Sequence, residues 1–179
     1  SEFCRLFEAE AAALGLEVDA TRILAGLDGE LRPAMVEALR RCGSTLRTAL
    51  LTNNITPLAD QEVGRSAVLE VVDMFDVVVE SSRPRVMGQW GIDVEALVDT
   101  GTVWTSITGY GRTGPRSSGV AFGDDAAVSG GLLLEDPMGF VADAVADPAT
   151  GLLAAVLTLA ALGSGRGHLL DVSLAGTAG

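Results

Sequence analysis

The chain contains no lysine. All 12 of its basic residues are arginine, against 24 acidic residues, for a formal net charge of -12. Without lysine there is no Schiff-base chemistry, no Gly-Lys-Ser/Thr phosphate loop and no lysine general base. The acidic balance argues against a nucleic-acid partner, which needs a basic footprint. A single histidine excludes a histidine-rich metal site, and the two cysteines, Cys4 and Cys42, fit no Cys-x-x-Cys or other metal spacing, so no metal is expected. Aromatics make up only 4% of the chain, so Ala, Leu and Val must build the core of a 48% hydrophobic sequence. The longest apolar run, Gly151 to Gly163, is too short to span a bilayer. No signal peptide is visible, and the sparse cysteines fit a reduced, cytoplasmic protein without a membrane partner.

At 179 residues the chain suits one ordinary domain or two small pieces. It opens on Ser1 rather than Met and ends in Ala-Gly-Thr-Ala-Gly, so both ends read as cut from something longer. Apolar periodicity predicts helices from Phe3 to Leu14, from Thr21 to Leu27 and from Pro33 to Gly43, with a strand over Leu46 to Leu51. Val63 to Met74 is helical by period, and Asp76 to Glu80 is a run of β-branched residues suited to a buried strand. Short helices are expected at Val86 to Ile92 and Val94 to Val98, then a strand at Val103 to Thr108. Helices over Asp124 to Leu134 and Pro148 to Leu162 and a strand over Leu169 to Leu174 complete the pattern. Strands alternating with helices predict an α/β fold, layered α/β/α, with a short, mostly parallel, Rossmann-like sheet and the option of two partial domains.

The run Arg32 to Arg40 (RPAMVEALR), followed by Leu50 to Asn54 (LLTNN), resembles the haloacid dehalogenase superfamily of hydrolases, in particular the phosphatase-like domains of soluble epoxide hydrolases. That resemblance covers about residues 1–82, with Phe3 to Leu27 as a cap remnant and Met74 to Ser82 (MFDVVVESS) fitting the family's next strand, and the domain it implies spans residues 1–75. It implies that Thr52 and Asn53 bind a phosphoryl group at the end of a strand. It also implies Mg²⁺, under this phosphatase reading only. The family's lysine would follow Ser82, where Arg83-Pro84-Arg85 stands, so the resemblance is to a phosphatase remnant. Without the resemblance, Thr52-Asn53-Asn54 is a strand-terminating turn.

From residue 76 to 179 the resemblance is different. The segments Glu80 to Arg85 (ESSRPR), Gln89 to Ile92 (QWGI), Val103 to Pro115 (VWTSITGYGRTGP), Ala146 to Gly151 (ADPATG) and Gly165 to Asp171 (GRGHLLD) follow in order. Together they resemble the family III CoA-transferases, the CaiB/BaiF-like group that includes formyl-CoA transferase and α-methylacyl-CoA racemase. The resemblance implies transfer of CoA between an acyl-CoA thioester and a small carboxylic acid through an aspartyl intermediate, with coenzyme A as substrate and a homodimeric assembly. It assigns the nucleophile to Asp147, with Asp143 as a second register. It assigns CoA contacts to Ser81, Ser82, Arg83, Arg85, Gly109 and Gly111, and it places Gln89 where members often carry Arg. The family is about twice this length or more, so an incomplete enzyme is implied.

Each residue also has a plainer reading. Asp147-Pro148 before an apolar helix is what an N-cap and first-turn proline look like. Gly109 to Pro115 can be an ordinary glycine-rich turn, and the arginines can be surface residues. Asp124 and Asp125 complement the dipole of a helix start. His168 reads as a strand entry, and no histidine stands where the racemase branch has one. A catalytically inactive interaction or structural module is the third reading.

Overall fold

The computed structural model describes residues 2–25, 31–52 and 70–179. Three helices come first: α1 (Glu2–Ala13), α2 (Ala20–Ala25) and α3 (Pro33–Gly43). Strand β1 (Ala49–Thr52) and, after a 3-10 turn at Val72–Met74, strand β2 (Val77–Glu80) follow. Then come α4 (Pro84–Gln89), α5 (Val94–Asp99), β3 (Val103–Thr108) and α6 (Gly123–Gly130). A hairpin of β4 (Leu133–Glu135) and β5 (Met138–Phe140) precedes α7 (Ala146–Gly163), β6 (His168–Ser173) and α8 (Leu174–Ala178).

β1, β2, β3 and β6 lie side by side in that order, all parallel. In-register residues of neighbouring parallel strands share a face. On one face Val78 and Trp104 pack against Val86 and Met87 of α4 and Val94 of α5, with Trp90 and Ile92 between them. On the other, Val77 and Val103 meet Ala161 of α7. These layers are the α/β/α sandwich expected from the alternating pattern. Parallel strands covered on both faces read as continuous β-branched runs, which is why Val77 to Glu80 and Val103 to Thr108 were legible.

The boundary expected at residue 76 falls between two neighbouring strands of one sheet. Thr48 and Asp76 are directly bonded: the Thr48 N–H donates to Asp76 Oδ2 at 2.7 Å and the Asp76 N–H to the Thr48 carbonyl at 3.1 Å. Arg47 donates to the carbonyl of Leu162 at 3.1 Å, tying the first half to the end of α7. β2, the strand resembling both families, is an inner strand with a partner on each side.

α7 explains how two layers approach closely. Its buried residues are Ala146, Thr150, Ala154, Thr158 and Ala161, small side chains at helical spacing along one face. The Thr105 and Thr158 hydroxyls meet at 2.6 Å within this contact. The opposite side carries exposed Leu152, Val156 and Leu159. The apolar run expected to fall short of a bilayer is extended by its polar first turn to an 18-residue helix, long and apolar enough to cross one by length and composition alone. Its small-residue face instead packs on β3 and β6.

Some elements differ from expectation. The helix expected over Asp124 to Leu134 stops at Gly130, because Gly131 turns left-handed at φ 103°. Leu133 onward then forms the exposed β4–β5 hairpin. Uninterrupted apolar residues there gave no period to separate strand from helix. Of the helix expected over Val63 to Met74, residues 63–69 lie outside the described residues.

The seating of α7 predicts asymmetric tolerance. Ala154→Leu, on the buried stripe, is expected to cost about 1–3 kcal/mol through overpacking. Leu152→Ala, at a position 71% exposed, is expected to stay within about 0.5 kcal/mol. Urea unfolding of the two variants checks both.

Candidate functional site

Ligands of parallel α/β sheets bind beyond the carboxyl ends of the strands, where loops diverge and backbone groups are free. A cleft of about 340 Å³ lies at that end here. One wall is the loop leaving β2, Ser81 to Pro84. The other is the end of β3, Ile107 to Gly109, with the returning segment Gly119 to Phe122. Ser117, Asp147 of α7 and Leu174 of α8 complete the lining. A larger open groove of about 770 Å³ runs between α1 and α2. It touches none of the strand ends, so volume is a poor guide here and position the better one.

The cleft gathers five residues assigned separately along the sequence: Ser81, Ser82, Arg83, Gly109 and Asp147. The others lie elsewhere. Arg85 and Gln89 are exposed on α4. Gly111 stands beside the cleft at φ 92°, its N–H donating to Thr108 Oγ1 at 2.8 Å and its Cα facing Asp171. Asp143 is exposed in the turn before α7 and outside the lining. Thr52 ends β1 opposite Glu80, also outside the lining, and Asn53 lies outside the described residues. His168 begins β6 at the far, amino end of the sheet, its Nε2 2.7 Å from Ser164 Oγ.

Asp147 is not the N-cap expected from Asp-Pro. It is the second residue of α7, and its N–H donates to the Ala144 carbonyl at 3.0 Å. The helix starts early because Ala144, at φ 46°, turns the chain sharply just before it. Asp124 holds that turn: its Oδ1 accepts the Ala144 N–H at 2.9 Å, while Asp125 Oδ1 accepts the Phe122 N–H at 2.7 Å. Thus Asp124 does more than complement a helix dipole. Gly123 makes the arrangement possible, since a Cβ there would stand 2.6 Å from both the Ala144 carbonyl oxygen and Asp147 Oδ2. Asp147 therefore presents a carboxylate in the first turn of an 18-residue helix, where the helix dipole favours negative charge.

Two further observations define the walls. At Gly109 a Cβ would approach the Ala121 Cβ to 2.7 Å. The room left by the absent side chain at this glycine is thus taken up by the chain's own return segment. Between these ends the loop is braced by Arg116, which lies 4.3 Å from the Tyr110 ring centroid and donates to Ser129 Oγ at 2.8 Å. The Ser82 hydroxyl, on a side chain only 4% exposed, has no hydrogen-bond partner among the described residues. A buried orphan hydroxyl in a cleft lining is costly unless something else meets it.

Sequence reasoning passed over Glu80. It is buried at 1% exposure, and its carboxylate accepts from the Ser82 N–H at 2.6 Å and from the Ser106 hydroxyl. A charge closing an apolar strand run reads as the solvent boundary, and nothing local signalled otherwise.

The profile of CoA-transferase family III matches residues 59–178. The match begins ahead of residue 76 and runs through it without a break. The haloacid dehalogenase reading, with its Mg²⁺, finds no support in it. The pattern of helix, strand and polar strand end that suggested it is common to parallel α/β sheets. Among curated proteins, the chain is 30% identical to the succinyl-CoA–L-malate CoA-transferase beta subunit of Chloroflexus aurantiacus, over 77% of this chain and 39% of that protein. It is 27% identical to the succinyl-CoA–D-citramalate CoA-transferase of the same organism, over 62% of this chain and 30% of that protein. The chain thus spans 30% to 39% of the length of these relatives. Among solved structures, a CAIB/BAIF family protein from Brucella suis matches with a TM-score of 0.58 at 27% identity, covering 67% of this chain and 35% of that one. A hypothetical protein from Mycobacterium tuberculosis shares the fold, with a TM-score of 0.60 at 18% identity over 84% of this chain and 53% of that one.

The packing at Gly123 carries a prediction. Gly123→Ala must displace either the Ala144 turn or the Asp147 carboxylate, and a cost of about 1–3 kcal/mol is expected from this overpacking. Chemical denaturation measures the cost, and a crystal structure of the variant should show Asp147 moved out of the cleft lining.

Proposed function

The chain belongs to CoA-transferase family III, and from that premise we propose that its cleft takes part in moving CoA between an acyl-CoA thioester and a small carboxylic acid, with Asp147 as nucleophile. The observation that carries the reading is the convergence of Ser81, Ser82, Arg83, Gly109 and Asp147 on one cleft, with the Ser82 hydroxyl buried and unpartnered there.

The chemistry follows from the residue types. The Asp147 carboxylate attacks the thioester carbonyl, the C–S bond breaks, and CoA leaves as its thiolate, giving an aspartyl–acyl mixed anhydride. The thiolate then attacks the aspartyl carbonyl, releasing the first acid as its carboxylate and leaving an aspartyl-CoA thioester. The acceptor carboxylate repeats the sequence in reverse, forming its own anhydride with Asp147 and expelling thiolate. The thiolate returns to the acceptor's acyl carbon and frees Asp147. No proton or oxidant is consumed in the cycle. The N-terminal turn of α7 favours the negative charge that Asp147 carries between steps. Arg83 supplies the one cation of the cleft lining among the described residues, suited to a phosphate or carboxylate of the substrates.

The chain spans under two fifths of the curated relatives it matches, so their activity comes to this chain as a proposal. Two relatives are named as alpha and beta subunits of one enzyme, which supports association with a second chain, a homodimer in the simplest case. Light scattering of the chain tests that association.

Addition of CoA is expected to raise the melting temperature, as any ligand binding the folded state alone must. Arg83→Ala is expected to weaken CoA binding by about tenfold, the worth of one charge-assisted contact. Transfer of CoA between succinyl-CoA and a second acid should be lost in Asp147→Asn with CoA binding retained. Unchanged turnover in that variant would remove Asp147 from the mechanism.

A further inference from the structure

Among the described residues, Glu80 is the one charged side chain in the buried set. A carboxylate taken out of water needs donors on both oxygens. Glu80 finds them on three different segments. Its Oε2 accepts the Ser82 N–H at 2.6 Å. Its Oε1 accepts the Ser106 hydroxyl of β3 and faces the Trp104 indole N–H at 3.5 Å. Arg112, from the loop after β3, brings Nη1 to 3.9 Å from Oε1 and donates to Ser106 Oγ at 3.3 Å. Arg112 is held in turn through its backbone N–H, which donates to Asp171 Oδ2 of β6 at 2.9 Å.

The two oxygens therefore do separate jobs. Oε2 is committed to the loop that forms one wall of the cleft, and Oε1 to β3 and, through Arg112, to the loop that leads into the other wall. If Glu80 only neutralised Arg112, Oε2 would have no reason to hold an amide two residues along its own chain. That short bond sets the backbone at Ser81 and Ser82 where β2 ends, just before Pro84 starts α4.

We propose that Glu80 is a positioning residue of the cleft: one buried carboxylate fixes the Ser82 loop and the Arg112 loop relative to each other, and so holds the unpartnered Ser82 hydroxyl in the lining. The part of this that concerns CoA rests on the function proposed above; the mechanical part does not.

The test uses the full chain with Glu80→Gln and Glu80→Ala. Glutamine keeps the shape and can still accept the Ser82 N–H with its carbonyl, while its NH₂ turns to Ser106 and the charge facing Arg112 is gone. Amide hydrogen exchange is expected to stay within about threefold of wild type at Ser82 in Glu80→Gln, and to quicken by about tenfold or more at Gly111 and Arg112. In Glu80→Ala both segments should quicken by about tenfold or more while the amides of α7 do not. Unchanged exchange at all three residues, or a rise spread equally over β2, β3 and α7, would overturn the proposal, the second outcome marking Glu80 as a core residue only. Should Glu80→Ala fail to fold, Glu80→Gln alone decides by the contrast between Ser82 and Arg112. A CoA titration by calorimetry adds a double-mutant cycle: Ser82→Ala should weaken binding by about three- to tenfold in wild type and by less than about twofold on top of Glu80→Ala. Additive losses would refute action through Ser82. If wild type takes up no CoA, it is the proposed function that fails, and the exchange experiment still judges Glu80.

Discussion

The seating of α7 on β3 and β6 is the contact from which the rest of the site follows. A helix carrying Ala146, Thr150, Ala154, Thr158 and Ala161 on one face can lie close against a sheet; one carrying leucines there could not. Because α7 runs back along the parallel strands, its first turn falls at their carboxyl ends, beside the loops that leave β2 and β3. Asp147 reaches the cleft because of where a stripe of small residues ends. The Thr105–Thr158 bond serves the same contact, since two hydroxyls buried together satisfy each other at little cost in space.

The approach of the cleft walls is regulated by missing side chains as much as by present ones. Gly123 leaves room for the Asp147 carboxylate and the Ala144 carbonyl, and Gly109 leaves room for Ala121. Neither glycine is used there for a left-handed conformation. Gly111 is, at φ 92°, and it sits where the chain must turn from β3 toward Arg112. Three glycines near one cleft thus answer two physical demands: close packing at two of them and backbone freedom at the third.

How much of this was legible depended on how local the determinant was. The inner strands were readable because burial on both faces selects β-branched runs, and α7 because eighteen residues leave a clear period. The β4–β5 hairpin was not, since Leu132 to Leu134 alternate with nothing polar. The choice of Ser81, Ser82, Arg83, Gly109 and Asp147 followed from motif resemblance, whereas their spatial meeting depends on strand order, which no short motif encodes. The early start of α7 was hidden as well. It comes from the strained turn at Ala144, held by Asp124 from a different helix, so the Asp-Pro signal pointed two residues late. The haloacid dehalogenase resemblance shows the converse error. A helix, a strand and a Thr-Asn end are local features, and many parallel sheets produce them without sharing chemistry.

Glu80 and Asp147 mark the two uses a carboxylate can have at one site. Each stands near a strand or helix end and borders the same loops, yet their surroundings are opposite. Asp147 is exposed at a helix N-terminus, and none of the described hydrogen bonds engages its carboxylate. Glu80 is enclosed, with donors on both oxygens, and a carboxylate so fully engaged is a poor nucleophile and a good brace. Environment divides the roles, as it does wherever two carboxyl groups share a site. Exchanging the residue types could not exchange these surroundings, because the donors around Glu80 belong to the Ser82 backbone and to β3. In this cleft, one acid is buried with donors on both oxygens while the other stays exposed in the lining.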